Sequence, residues 1–330
     1  MTLATPAMKP AALSPAAPER RRLGLIALFA ALYTYALIVF GGIVRITGSG
    51  MGCGDDWPRC NGQWIPEFTL ETLIEYTHRL LAAGIGLVVL AVFTYALVIR
   101  GRPGVAGRGG LLRPLAAGAA LLVLQIALGA ITVRLELPTE VTVAHFLTAM
   151  LFMATLLVTA VRSDVLGVRS DVDPRVARKA ARAAVAAAGL GLLVVALGAI
   201  TANMPGAPQA CQGFPLCNGS LMPEARAPTV HIHWTHRLLA FLLFFQVIGA
   251  ALGAHRRGAA RSVIRAAVLA AALVVAQLAV AAALVLSFLP RSLQALHLAV
   301  GVAVWFALVI WFALAHRDAR PALAPASGNA

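Results

Sequence analysis

Charged residues are scarce in this sequence: they make up 12% of its 330 residues, whereas 60% are apolar. Ordinary soluble proteins have about 25% charged and about 45–50% apolar residues, so a soluble globular domain is excluded. Glycine, with 29 residues, and proline, with 18, occur at near-average frequency, which excludes collagen-like and disordered chains. The remaining class is a protein surrounded mostly by lipid.

Uncharged or nearly uncharged runs occur eight times along the chain. They cover residues 23–44, 80–99, 115–133, 141–161, 183–204, 238–254, 266–289 and 292–315. A helix needs about 17–25 residues to cross a bilayer, and the shorter sixth run can be extended back through Trp234. The first run is too long for a secretory signal and lacks a convincing cleavage site. The sequence therefore predicts an all-α integral membrane protein with eight transmembrane helices.

Acidic residues are also few, at 13 against 27 basic ones, which gives a formal net charge of +14. In a soluble protein this excess would suggest nucleic-acid binding. Here 20 of the 27 basic residues lie in alternate connecting segments, namely 1–22, 100–113, 162–182, 255–265 and 317–320. The positive-inside rule then predicts that both termini are cytoplasmic. Membrane topology and contact with anionic lipid explain the charge, so no nucleic-acid partner is expected.

The two halves of the sequence are related by duplication. Pro58-Arg59-Cys60-Asn61-Gly62 matches Pro215-Leu216-Cys217-Asn218-Gly219, and Thr77-His78-Arg79-Leu80-Leu81-Ala82 recurs unchanged as Thr235-His236-Arg237-Leu238-Leu239-Ala240. The offset is 157 to 158 there and 152 for two later pairs, Gln125 with Gln277 and His145 with His297. We therefore expect two four-helix bundles related by a pseudo-twofold axis along the membrane normal. The expected divisions are a tail at 1–22, a first half at 23–165, a linker at 166–182, a second half at 183–316 and a tail at 317–330.

Cysteine is limited to four residues, all in the two large loops expected on the outer side. Their spacing is too wide for a C-x-x-C zinc or thioredoxin motif. In an oxidising compartment, Cys53-Cys60 and Cys211-Cys217 most simply form local disulfides that hold each loop over its helices. Redox-active thiol pairs are the alternative.

Four histidines lie at or near the outer beginnings of the expected spans, and ionisable side chains within a membrane usually mark a function. His78 and His145 lie near the outer beginnings of spans 2 and 4, and His236 and His297 take the same places in spans 6 and 8. A packing role is the plain alternative for any one of them. Two imidazoles do not complete a tetrahedral zinc site, but they can supply the axial ligands of a haem, whose porphyrin provides the other four.

Residues beside these histidines suggest how the halves differ. Arg79 and Arg237 could pair with haem propionates, or they could simply extend to the membrane surface. Glu75 lies three residues before His78 and would share its helix face, whereas His233 takes its place in the second half. This asymmetry predicts that the reaction takes place in the first half and that the second half has a supporting role.

Other polar residues carry weaker expectations. Gln125 and Gln277 are expected to hydrogen-bond across helices and are assigned no chemistry. His231 and His233 are expected in a loop. The alternatives are that they serve as substitute ligands or form a weak metal site. His255 and His316 are expected to flank spans on the cytoplasmic side.

These residues resemble the haem A synthase family of membrane enzymes, which serve cytochrome oxidase assembly. The similarity rests on Gly41-Gly42-Ile43-Val44-Arg45-Ile46-Thr47-Gly48-Ser49-Gly50, the Cys53/Cys60 pair, Glu75-Tyr76-Thr77-His78-Arg79, Thr235-His236-Arg237, His145 and His297. It extends over roughly 23–315.

The resemblance implies oxidation of a ring methyl of haem O to the formyl group of haem A. It implies that His78 and His145 flank the substrate haem, that Glu75 is the catalytic carboxylate, and that His236 and His297 bind haem B. The Cys53/Cys60 disulfide would have a functional role, whereas the Cys211/Cys217 pair is found in only part of the family.

The expected partners are haem O, the farnesyltransferase that produces it, a membrane electron donor or acceptor and the lipid bilayer, with self-association possible. The expected location is a cell membrane of bacterial plasma-membrane type, with the haem sites toward its outer face. A di-haem electron-transfer cytochrome is the alternative, but it predicts one haem near each membrane face. A duplicated haem or anion transporter explains the repeat and the arginines but not the four paired histidines.

Overall fold

The computed structural model describes residues 18–107, 109–224 and 227–320. These ranges contain eight long α-helices. The helices are α1 Pro18–Thr47, α2 Leu70–Val98, α3 Leu112–Arg134, α4 Thr139–Arg162, α5 Pro174–Asn203, α6 Pro228–Arg256, α7 Arg261–Leu286 and α8 Arg291–Ala319. All eight are long and apolar enough to cross a membrane. The predicted fold class, an all-α multi-pass membrane protein with eight spans, is confirmed.

Most helices begin earlier or end later than the apolar runs of the sequence. α1 begins at Pro18, ahead of three consecutive arginines, and α6 begins at Pro228, ten residues before the sixth run. Hydropathy does not register these turns because they are charged or polar. Helix-start residues define them instead: Thr69 caps α2 by accepting a hydrogen bond from the backbone N–H of Thr72, and Asp173 caps α5 in the same manner.

The helices pack as two rings of four. In the first ring, each of α1, α2, α3 and α4 contacts the next, and α4 closes back onto α1. The same order of contacts holds for α5, α6, α7 and α8. The rings meet through α1, α4, α5 and α8, where the buried Trp305 of α8 donates its indole N–H to the carbonyl of Met150 at 2.9 Å. The helices away from this seam expose large apolar side chains, including Leu87, Val123 and Phe245, as a lipid-facing surface requires.

Both described ends of the chain lie at the same end of the helix assembly, called here the terminal end. Arg20 near the beginning of α1 and Arg317 near the end of α8 both pair with Asp164, at 3.6 Å and 3.3 Å. Arg317 also donates to the carbonyls of Gly167 and Val168. The segment that joins the rings is therefore held against α8. Residues 1–17 and 321–330 of the expected tails lie outside the described residues. The opposite end, which carries both cysteine pairs, is called the disulfide end.

Candidate functional site

The four span histidines lie at one depth. His78 is eight residues into α2 and His236 is eight residues into α6, while His145 and His297 are each six residues into α4 and α8. At 1.5 Å per residue this places all four about 9–12 Å from the beginnings of their helices, and all four helices begin at the disulfide end. The side chains are half-buried.

Each ring contributes one pair of facing imidazoles. α2 and α4 stand at opposite corners of the first ring, as α6 and α8 do in the second. The structure thus brings together, within each ring, the two histidines that the sequence paired.

Glycines provide the space for three of these imidazoles. A Cβ atom built on Gly41 would lie 3.0 Å from Cε1 of His78, one on Gly129 would lie 3.0 Å from Cε1 of His145, and one on Gly198 would lie 2.8 Å from Cε1 of His236. Such separations are too short for a normal side chain, so the imidazoles pack directly on helix backbone. Sequence reasoning missed Gly198, although it matches Gly41 at the repeat offset of 157.

Hydrogen bonds orient the rings of three histidines. Nδ1 of His236 lies 3.1 Å from the carbonyl of Val194. A carbonyl can only accept, so Nδ1 carries the proton and Nε2 keeps its lone pair, which is the usual arrangement of a metal-ligating histidine. Gln125 places its amide nitrogen 3.2 Å from Nε2 of His145, and Gln277 places its own 3.1 Å from Nδ1 of His297. The two glutamines hydrogen-bond across helices, as predicted.

The first histidine pair contains polar atoms that are left without partners. Nδ1 of His78 and Nδ1 of His145 are buried and have no hydrogen-bond partner, which is costly unless a ligand satisfies them. Within the described ranges no cluster of three or more His, Cys, Asp or Glu residues could hold a metal ion. Paired imidazoles therefore fit a metal that brings its own equatorial ligands, as a haem iron does.

Glu75 links the first histidine pair to the cysteine loop. Its carboxylate is 3% exposed and lies one helical turn before His78. Oε2 accepts the backbone N–H of Cys53 at 2.8 Å, and Oε1 accepts from Nε and Nη2 of Arg79 at 3.0 and 2.5 Å. The ion pair and the N–H bond hold a buried charge in a fixed position.

The two arginines next to the histidines hold the loops. Arg79 donates through Nη1 to the carbonyls of Asp56 and Arg59, both at 2.8 Å. Arg237 donates to the carbonyls of Gly213, Leu216 and Cys211 at 2.7, 2.9 and 2.5 Å. Arg79 thus divides its N–H groups between loop backbone and Glu75, and the three hydrogen bonds of Arg237 all go to loop backbone. The sequence did not predict this role.

Both predicted disulfides are present, Cys53–Cys60 and Cys211–Cys217. Each loop folds back into the same bridge, between Cys60 and Gln63 in one case and between Cys217 and Ser220 in the other. At matching positions of α2 and α6, two different hydrogen-bond donors hold the loops. Tyr76 donates its hydroxyl to the carbonyl of Trp64 at 2.6 Å, and Trp234 donates its indole N–H to the carbonyl of Leu221 at 2.7 Å.

The expected loop position of His231 and His233 is wrong. Both lie in the first turns of α6, which begins at Pro228, because the polar start of this helix precedes its apolar run. His231 is exposed, whereas His233 is buried and donates Nδ1–H to the carbonyl of Ala207 at 2.9 Å. His233 thus binds loop backbone from the helix position that Glu75 holds in the first ring. His255 and His316 lie in the last turns of α6 and α8.

Fold and site together define a class: a multi-pass membrane protein of two four-helix rings, each with facing imidazoles suited to haem. The chain matches the family described as cytochrome oxidase assembly protein, COX15-CtaA, over residues 24–71 and 65–309. It belongs to this family.

Individual relatives agree with this membership. The chain is 34% identical over 274 residues to a protein named Heme A synthase from Symbiobacterium thermophilum, which covers 81% of this chain and 87% of the relative. It is 30% identical over 237 residues to a Heme A synthase from Alkalihalophilus pseudofirmus, covering 69% and 76%. A shorter match, 47% identical over 81 residues, is to a Protoheme IX farnesyltransferase from Thermus thermophilus and covers 24% of this chain and 13% of that protein.

Proposed function

We propose that this chain is a haem A synthase, an enzyme of haem A biosynthesis that oxidises a ring methyl of haem O to a formyl group. The observation that carries the proposal is the pair of histidines on opposite helices, repeated at one depth in both rings. Similarity to Heme A synthases over 81% of the chain supports it independently.

The two rings have different tasks in this proposal. His78 and His145 would flank the substrate haem O, and His236 and His297 would hold a resident haem B as its axial ligands. The Nδ1–H bond of His236 to Val194 supports the second assignment, because it leaves Nε2 free to bind a metal. The placement of His78 and His145 on opposite helices of the first ring supports the first. The pseudo-twofold relation of the rings stays a prediction, supported by their identical order of helix contacts.

The overall reaction is an oxidation at a carbon that has no acidic proton. In two successive two-electron steps, a C–H bond of the methyl would be replaced with C–OH, with water supplying the oxygen and two protons released in each step. The resulting geminal diol would lose water to leave the formyl group. A membrane electron acceptor would take the electrons. Bound haem B would supply the redox chemistry that amino-acid side chains lack.

The protein's own contribution centres on Glu75. Its carboxylate lies one helical turn from His78 and is held by Arg79 and by the N–H of Cys53. It would therefore already be in position before the reaction begins. A fixed anion there could stabilise positive charge that develops at the methyl carbon, and it could accept the protons released at each step. His233, at the matching position, offers no carboxylate, which supports the assignment of chemistry to the first ring.

The loops would complete each site. Arg79 and Arg237 hold the disulfide loops above the histidines through backbone carbonyls, which would restrict access of water to the haems. Contact of either arginine with haem propionates is a further part of the proposal. We also propose that the sites face the outer side of a bacterial plasma membrane, supported by the 20 basic residues in the segments of the opposite side.

Haem O would come from a farnesyltransferase. Support comes from the Protoheme IX farnesyltransferase of Thermus thermophilus, in which a segment of 81 matched residues resembles part of this chain. A substrate as apolar as haem O would pass between the two activities within the membrane.

Pigment extraction tests the proposed function directly. The chain is produced together with a haem O-forming farnesyltransferase, purified, and its haems are separated by chromatography and mass. We expect haem B in all preparations and haem A, with hydroxylated haem O, only when the farnesyltransferase is present. Bound haem B with unchanged haem O would instead indicate an electron-transfer cytochrome, and absence of any haem would favour a transporter.

A further inference from the structure

A cavity at the terminal end has no part in the proposed reaction. It has a volume of about 370 Å³ and lies between the beginning of α5 and the end of α8. This size falls within the roughly 300–1,000 Å³ of small-molecule sites. Arg178, Arg182 and His316 line it together with Val185, Ala186 and Ala319, and nearly all of the lining surface is apolar.

The two arginines at this cavity carry positive charge that no ion pair of the described residues neutralises. Arg178 and Arg182 are four residues apart on α5, share one helix face and are both exposed. In the part of the chain that the structure describes, neither forms an ion pair. His316 accepts a hydrogen bond at Nε2 from Nε of Arg320 at 3.2 Å, so its Nδ1 carries a proton that it can donate.

Acidic groups face away from this cavity. Asp318 is the acidic residue nearest in sequence to His316, but it is buried and pairs with Arg317 at 3.4 Å. It lines a different, small cavity with Ala177, Ala180 and Val263. The mouth between Arg178 and Arg182 therefore favours an anion.

Charge and apolar surface are arranged in sequence along α5. The distance from Arg178 to Ala186 is eight residues, or about 12 Å along the helix axis. The arginines lie nearest the beginning of the helix, and Val185, which is 50% exposed, lies deeper in the span. A free phosphate would match only the two exposed arginines and not the apolar lining. A molecule with an anionic head and an alkyl tail matches both.

We propose that this cavity binds one anionic glycerophospholipid. Its headgroup phosphate lies between Arg178 and Arg182, where guanidinium groups can form paired charge-assisted hydrogen bonds, and an acyl chain runs along Val185 and Ala186. Basic pockets between transmembrane helices on the cytoplasmic side commonly bind such headgroups. The lipid would join α5 to α8 and is independent of the haem assignments.

Native mass spectrometry of the purified full chain, with lipid added to the detergent, tests the proposal. The probes are phosphatidylglycerol, phosphatidylcholine with the same acyl chains, and inorganic phosphate. The test variant is Arg178→Gln with Arg182→Gln. The matched control is Arg175→Gln with Lys179→Gln, which removes the same charge from exposed positions of the same helix that do not line the cavity. Circular dichroism and gel filtration check that each variant folds.

We expect one phosphatidylglycerol per chain, bound at least about tenfold more tightly than phosphatidylcholine, with the preference lost in the test variant and kept in the control. Ala186→Leu narrows the apolar half without changing charge, and we expect it to weaken binding too. Equal losses in test and control variants would overturn the proposal, because diffuse surface charge would explain them. Displacement of the lipid by inorganic phosphate, or full binding by Ala186→Leu, would overturn the placement of the acyl chain.

Discussion

The backbone N–H of Cys53 donates a 2.8 Å hydrogen bond to Oε2 of Glu75. This bond joins the disulfide loop to the helix turn before His78, so the loop, the carboxylate and the histidine form one connected unit. In the second ring His233 joins helix to loop through the carbonyl of Ala207. A structural bond therefore exists at both positions, and only the first adds a negative charge.

Glu75→Gln tests the negative charge of this side chain while keeping its hydrogen bond with the loop. Glutamine keeps an oxygen that can accept from Cys53 but removes the negative charge, and its amide N–H₂ replaces the oxygen that accepts from Arg79. If the carboxylate takes part in the reaction, the variant folds, retains haem B and accumulates haem O or hydroxylated haem O. A loss of about 3 kcal/mol of transition-state stabilisation would slow turnover about 10²-fold, which extracted pigments would show. His233→Gln is the matched control and should leave most haem A formation intact. Normal haem A from Glu75→Gln would make Glu75 a loop anchor only.

Removal of a histidine from the second ring tests the haem B assignment. We expect His236→Ala or His297→Ala to abolish the low-spin haem B spectrum, because each removes one of two axial ligands. His78→Ala and His145→Ala, in the first ring, should retain it. The measurement is the reduced-minus-oxidised absorption spectrum of purified protein at known haem content. A spectrum unchanged in both second-ring variants would show that haem B is bound elsewhere.

Gly198→Ala tests whether close helix packing holds an imidazole in place. The new methyl would lie 2.8 Å from Cε1 of His236, so the ring or helix α5 must move. We expect weaker haem B binding and a shifted spectrum. Gly189→Ala, on the same helix, is the control because its Cβ would meet nothing within 4 Å, and alanine there should slightly stabilise the helix. Identical spectra for the two variants would refute the packing role.

Topology can be tested with reporters. Because 20 of the 27 basic residues lie in alternate segments, we expect a reporter fused after Arg320 to be cytoplasmic and one inserted near Gln63 to be external. The structure already places Arg20 and Arg317 at one end through Asp164. The reversed result would put the cysteine loops in the reducing compartment, where disulfides rarely persist.

Cysteine spacing, histidine placement and the repeat offset predicted most of the site from sequence. They identified both disulfides and the ring membership of each histidine, because a duplicated motif places equivalent residues at equivalent positions. The predicted beginning of α6 was wrong, and so was the predicted loop position of His231 and His233. Hydropathy follows apolar runs and not helical hydrogen bonding. The sequence also contained no sign that Arg79 and Arg237 bind loop carbonyls, since an arginine's donors can reach many partners.

The fold class, the number of spans and the pairs of histidines were determined by the sequence itself, through apolar runs that only a bilayer can accommodate and through a repeat that copies local structure. The contact of Gly198 with His236, the bond from Cys53 to Glu75 and the cavity beside Arg178 were decided only by tertiary structure. Each depends on which helices become neighbours and at what rotation. That choice follows from the packing of whole helix surfaces, which no short stretch of sequence specifies.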